Sequence, residues 1–254
     1  MSLFEISLEV IFVLVLGIVA EVGGLAKLFD LVNPFLRAHA SPIPPRLVNS
    51  LNASFGASLQ EVQKVSNLVL RKANPIELTR IDPTFPQLGV QVIPLLIFSN
   101  FSQNESLNAL LKVCDIPFNS LGLELLTCGI QIIPPGVQTP FHQENYFGLL
   151  KYYLVLHGHE KASITIGGYN PSSQKVQHGH ANQVHQFQTK SSLLFDPTVP
   201  LKIENLSRQN VHILCCEFRR PMSKLPDIIN GIIMKTMSVS QPVMMACAQA
   251  WPKE

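Results

Sequence analysis

The sequence predicts a mainly β domain, closed as a sandwich or barrel, with helices before and after it. Short runs rich in β-branched and aromatic residues recur at 123–133, 151–156, 162–167, 191–196 and 211–218, and most are separated by Pro, Gly, Asn or Ser clusters. Between them no helical pattern is long enough to serve as a crossover. Helical periodicity is confined to the flanks.

The elements follow in order. At 58–72, Leu59, Val62, Val65, Leu68 and Val69 repeat at helical spacing, Ser58 and Glu61 form a capping box, and Asn74-Pro75 closes the helix. Ser41-Pro-Ile-Pro-Pro45 ahead of it is a stiff, non-helical linker. A shorter helix at 105–113 carries Leu107, Leu110 and Leu111 on one side. Beyond Pro221, Leu225, Ile228, Ile229, Ile232, Ile233 and Met237 describe an amphipathic C-terminal helix that covers a barrel face or docks on a membrane or partner. Internal repeats are not visible.

The N-terminus carries VIFVLVLGIVA at 10–20, eleven uncharged residues bounded by Glu9 and Glu21. A spanning helix needs about 20 apolar residues. The length suits the apolar region of a signal peptide, with Gly24-Leu25-Ala26 for cleavage, but MSLFEISLE ahead of it has two acids and no Lys or Arg. Anchor, signal peptide and buried or surface helix stay open, and association with a membrane through this one segment is the expectation. If the segment spans, Lys27 and Arg37 place its C-terminal side in the cytoplasm. Acceptor tripeptides for N-glycosylation begin at Asn52, Asn100, Asn104 and Asn205 and matter only in a secretory lumen.

Net charge is +2 and no basic stripe with interleaved aromatics occurs, which argues against a nucleic-acid partner. Charged residues make up 14%, below the usual share, as in a chain covered by a membrane or a partner. The five cysteines are odd in number and include no C-x-x-C, so they announce neither a zinc site nor a disulfide framework. Cys215 and Cys216 are expected on opposite faces of one strand, as buried small hydrophobes.

The chemistry-bearing stretch is Pro135-Gly136-Val-Gln-Thr-Pro-Phe-His142-Gln143-Glu144-Asn145. Pro-Gly makes a turn, and His142-x-Glu144 follows. In an extended segment residues i and i+2 share a side, so an imidazole and a carboxylate can grip one ion, as in sites of two His and one carboxylate. H-x-E alone is a weak signal, because a surface His near a Glu is common. Gln177-His178-Gly-His180-Ala-Asn-Gln-Val-His185 is dense in further imidazoles and reads either as a source of ligands or as a solvated loop. His157 and His159 flank a turn glycine, and His212 reads as a core residue.

The surrounding blocks resemble the aspartyl/asparaginyl β-hydroxylase family. Gly89-Val-Gln-Val-Ile-Pro94-Leu-Leu-Ile-Phe98 is similar to the strand that opens its catalytic domain. Pro135-Gly136, His142, Lys151, Tyr153-Leu154 and Leu156 fall in step with its "P-G-T…P-H…L-R-x-H-L-x-L" stretch. Leu194-Phe195-Asp196 and Glu217-Phe218-Arg-Arg-Pro221 resemble its closing blocks, and the likeness covers about half the chain. It implies a double-stranded β-helix (jelly roll, cupin-like) at 89–221, after an N-terminal hydrophobic helix in 1–40 and a lead-in at 41–88, with a helical extension at 222–254. It also implies a dioxygenase using Fe(II) and 2-oxoglutarate to hydroxylate peptide Asp or Asn, or lipid acyl chains, at the endoplasmic reticulum or the bacterial inner membrane.

By the resemblance, His142 is the first iron ligand, while Lys151 and Tyr153 stand where the family holds its cosubstrate. The second iron-binding His falls on Leu201, the cosubstrate-binding Arg falls on Val211, and Glu144 replaces a usual Gly. Two alternatives follow. The site is rebuilt, with Glu144 and His185 completing the metal shell; or it is degenerate, leaving a non-catalytic binding protein on the same barrel.

Overall fold

Of the runs that read as strands, those at 123–133, 151–156 and 211–218 are largely buried on both faces, and this places them inside the fold. The computed structural model describes residues 25–40, 43, 45–78, 89–98, 100–101, 105–167 and 182–238. The chain passes through α1 (Leu25–His39), α2 (Pro45–Lys72), β1 (Ile76–Glu77), β2 (Gln91–Ile97), β3 (Asn100–Phe101), α3 (Glu105–Ser120), β4 (Leu125–Ile133), β5 (Leu149–His157), β6 (Ala162–Ile166), β7 (Gln183–Gln186), β8 (Ser192–Phe195), β9 (Leu201–Asn205), β10 (Val211–Arg219) and α4 (Lys224–Ser238).

The larger sheet is ordered β1-β2-β4-β10-β5-β8, with β3 also on β2, and the smaller is β7-β6-β9. All pairings are antiparallel. Residues 137–144 add an irregular fourth strand to the smaller sheet through the bridges Gln138↔Glu204 and His142↔Leu201. From β4 onward the chain alternates between layers: β4 large, 137–144 small, β5 large, β6 and β7 small, β8 large, β9 small, β10 large. This alternation makes the centre a jelly roll.

β5 is buried at every position but its last. Its even residues face the helices: Tyr152 stacks on Phe55 of α2 with centroids 5.0 Å apart. Phe118 of α3 meets Phe218 at 5.2 Å on the same face. Each large apolar side chain buried here contributes about 1.5–3 kcal/mol relative to exposure. The odd residues Tyr153 and Val155 join Ile164, Ile203, Ile213 and Phe195 between the sheets. A third cluster packs α1 and α4 together through Leu28, Leu36, Ile233 and Met234, around Tyr146 and Phe147. Cys215 lies between the sheets and Cys216 against the helices, on opposite faces as expected.

Several expectations need correction. α2 starts at Pro45, so the proline-rich stretch ends in a helix instead of bridging to Ser58. Proline at a first helical position costs no hydrogen bond, and Leu51 and Phe55 continue the apolar stripe upstream. Ser58 is thus mid-helix, its hydroxyl bonded back to the Ser54 carbonyl at 3.2 Å. α3 runs through Pro117 to Ser120. Asn205 is fully buried, and its amide donates to Ile133 O (2.8 Å) and Gln209 O (2.9 Å), so it has no room for a glycan.

The expected membrane-associated localisation is also corrected: among the described residues no helix is long and apolar enough to cross a membrane. The apolar run at 10–20, on which the expected N-terminal hydrophobic helix rested, lies outside the described residues.

Candidate functional site

Gly136 turns the chain out of β4 at φ +80°, a conformation that side chains with Cβ rarely adopt. Its N–H donates to Asn205 O (2.8 Å), which starts residues 137–144 along β9. His142 and Leu201 then exchange both backbone hydrogen bonds, at 2.9 and 2.8 Å. Directly paired residues share a face. Leu201 packs between the sheets at 4% exposure, so His142 belongs to the inner face too. The imidazole Nδ1 lies 3.1 Å from Pro140 O. Glu144, two residues on, donates its N–H to Pro197 O and turns its carboxylate inward.

There the carboxylate meets Lys151. The Lys151 ammonium is ion-paired with Glu144 and, at 2.8 Å, with Glu217 of β10, its register partner across the sheet. Lys151 is only 7% exposed. Burial alone would pull its pKa down, but Glu144 and Glu217 outweigh that and hold it well above the ordinary lysine value. Further along the same face, burial pushes up both the Tyr153 phenol and the Cys215 thiol. At neutral pH the inner face therefore presents one buried cation, two carboxylates, and a neutral phenol and thiol.

This arrangement does not fit Fe(II) with 2-oxoglutarate. Glu144, two residues from His142, and Glu217 are both engaged by Lys151. Leu201, directly across from His142, has no lone pair to offer a metal. Among the described residues no three of His, Cys, Asp and Glu converge as a metal site. Nor is Lys151 available for a cosubstrate carboxylate: with two carboxylates around one ammonium, the cluster already carries a net negative charge. At the position of the family's arginine, Val211 is fully buried and apolar. Lys202 of β9 is paired with Glu204 at 2.7 Å, so its charge is engaged within its own strand.

The structure separates the remaining candidates. His185 lies on β7 opposite Ile164, hence also on the inner face, but it lines a cavity of about 270 Å³ with Tyr153, Val155, Phe187 and Leu193. His178 and His180 lie outside the described residues. His157 bonds Asn67 Oδ1 at 2.9 Å, and burial lowers the pKa of its neighbour His212.

Sequence reasoning missed Glu217 as a site residue. Strict alternation along β10 from Val211 would have placed it inside, but its pairing with Lys151 depends on the register of two strands far apart in the chain. Arg220 was missed for the same reason. It is buried and holds Phe147 O (2.8 Å), Leu149 O (3.2 Å) and Asp196 (2.7 Å), and it lies 3.9 Å over the Phe147 ring.

No family model matches the chain, and no curated protein matches it. Solved structures similar to it include an oxidoreductase of the 2OG-Fe(II) oxygenase family from Burkholderia pseudomallei, at 9% identity over 67% of this chain and 92% of that one, with a TM-score of 0.47. HygX from Streptomyces hygroscopicus, with nickel and 2-oxoglutarate bound, is 10% identical over 63% and 78%, with a TM-score of 0.43. The cupin domain of Schizosaccharomyces pombe Cnp3 is 10% identical over 62% and 81%, with a TM-score of 0.33. At such identities any statement about chemistry rests on this chain's own side chains.

Proposed function

We propose that this chain is a non-catalytic binding protein built on an oxygenase-like jelly roll, in which a lysine ammonium has become the cation of the inner site. The observation that carries this reading is the Lys151 clamp: one buried ammonium held by Glu144 and Glu217 on the face that His142 shares with Leu201. A divalent ion would have to displace the ammonium, and leaving a buried lysine without its partners is costly. Losing one imidazole ligand further weakens any hold on metal, which depends on ligand number and geometry.

Isothermal titration with Mn(II), a redox-stable stand-in for Fe(II), together with 2-oxoglutarate tests the reading. The expected outcome is no saturable heat. Saturable binding of both that disappears in His142→Ala would overturn it.

A second reading, an active hydroxylase of peptide or lipid with a rebuilt shell, draws on one observation, the shared inner face of His142 and Glu144. The same titration decides between the two.

A further inference from the structure

His157, at the end of β5, and His212, near the start of β10, are register partners across the larger sheet. Strict alternation along β5 would send His157 inward with Tyr153 and Val155. The pairing instead shifts by one residue between His212 and Ile213, a bulge that re-aims His157 to the helix side. His212 belongs to that side already, because it alternates with Leu214 and Cys216, which pack against the helices. The two imidazole rings lie with centroids 5.5 Å apart and planes at 81°. His157 is six residues along β5 from Lys151 and on the other face of the sheet, so the pair is no part of the inner cluster.

Hydrogen bonding decides which nitrogens are open. His157 Nε2 lies 2.9 Å from Asn67 Oδ1 of α2. A carbonyl oxygen only accepts, so Nε2 carries the hydrogen and Nδ1 keeps the lone pair. An acceptor behind the imidazole in this way orients a metal-ligating histidine and raises its basicity. On His212, Nδ1 is closed off without a partner, Nε2 is not closed off, and neither is hydrogen-bonded among the described residues. Burial, and then the neighbouring His157, lower the His212 pKa, so its ring is uncharged at neutral pH. The backbone beside the pair is held in place. Gly158 N–H donates to Thr189 Oγ1 at 3.0 Å, and any side chain at 158 would run into the Phe187 carbonyl.

The ring spacing selects the ion. A zinc ion bonded to an imidazole nitrogen at about 2.0–2.1 Å sits roughly 3.2 Å from the ring centre. Two ligating rings are then about 5.2 Å apart at the tetrahedral angle and about 4.5 Å apart at a right angle. The observed 5.5 Å agrees with the tetrahedral case, which zinc adopts, and is wide for the square arrangement of Cu(II) or Ni(II). We infer that His157 Nδ1 and His212 Nε2 form a two-imidazole site for Zn(II) at the corner where β5, β10 and α2 meet. No third His, Cys, Asp or Glu joins the pair among the described residues, so water fills the two remaining positions.

The probe is Zn(II), titrated into the full untagged chain and followed through the imidazole ¹⁵N resonances. Those of His157 and His212 should shift together along one saturable curve. His157→Ala, at an exposed position, should weaken binding by about 100-fold or more, since ligand number sets the affinity. Asn67→Ala, which removes only the acceptor behind His157, should weaken it by about tenfold. Retained far-ultraviolet circular dichroism establishes that both variants are folded. No saturable shift, a shift of one ring alone, or Zn(II) affinity unchanged in His157→Ala would overturn the inference. Each of these outcomes is separable from failure of the Lys151 reading, which falls only if Mn(II) and 2-oxoglutarate bind through His142.

Discussion

Lys151 carries two consequences at the scale of the single residue. Replacing it with methionine leaves Glu144 and Glu217 facing each other without a cation. Breaking a buried pair in this way costs about 3–5 kcal/mol, somewhat less here because the carboxylates are 22% and 14% exposed. Urea denaturation should show the loss, and adding Glu144→Gln and Glu217→Gln should recover part of it. The pH dependence has a definite sign. The folded pKa of Lys151 lies above its ordinary value of 10.5, so its stabilisation is complete below pH 10.5 and is lost as pH rises through the folded pKa. Denaturation midpoints of wild type and Lys151→Met should therefore converge only in strong alkali. Leu201 offers the reverse experiment: Leu201→His sets a second imidazole across from His142 and should raise Ni(II) affinity by about tenfold or more in an isothermal titration.

At the scale of elements, local pattern made most strands legible, and distance in the chain hid the rest. β4, β5, β6, β8 and β10 lie within the β-rich runs or a residue or two beyond them, because branched and aromatic residues there fill both faces of a sheet. β9 escaped notice: its buried Leu201, Ile203 and Asn205 alternate with charged Lys202 and Glu204, so composition alone hides it. β7 reads as a histidine-rich polar stretch and becomes a strand only by pairing with β6. The reach of α2 back to Pro45 was obscured by prolines that end one segment and begin a helix. Arg220 ties these elements at the end of β10, joining the carbonyls of Phe147 and Leu149 to Asp196 after β8. Arg220→Met should cost about 3 kcal/mol in urea denaturation, since it leaves Asp196 and two carbonyls without their donor. Arg220→Lys should recover only part of this, because an ammonium cannot match the planar fork.

At the scale of the whole molecule, the alternation of strands between two sheets brings residues 137–144, β5 and β10 onto one interior. This closure was legible in outline. What sits against His142 was not legible: the leucine opposite it and the second carboxylate on Lys151 come from register, which no local pattern records. The account turns on Lys151 being the charged occupant of that interior. The most direct test is the ¹⁵N resonance of its side-chain nitrogen, followed by NMR against pH and against added Mn(II). The account predicts a nitrogen still protonated above pH 10.5 and a signal that millimolar Mn(II) does not saturably broaden. Deprotonation at or below pH 10.5, or saturable broadening lost in His142→Ala, would contradict it.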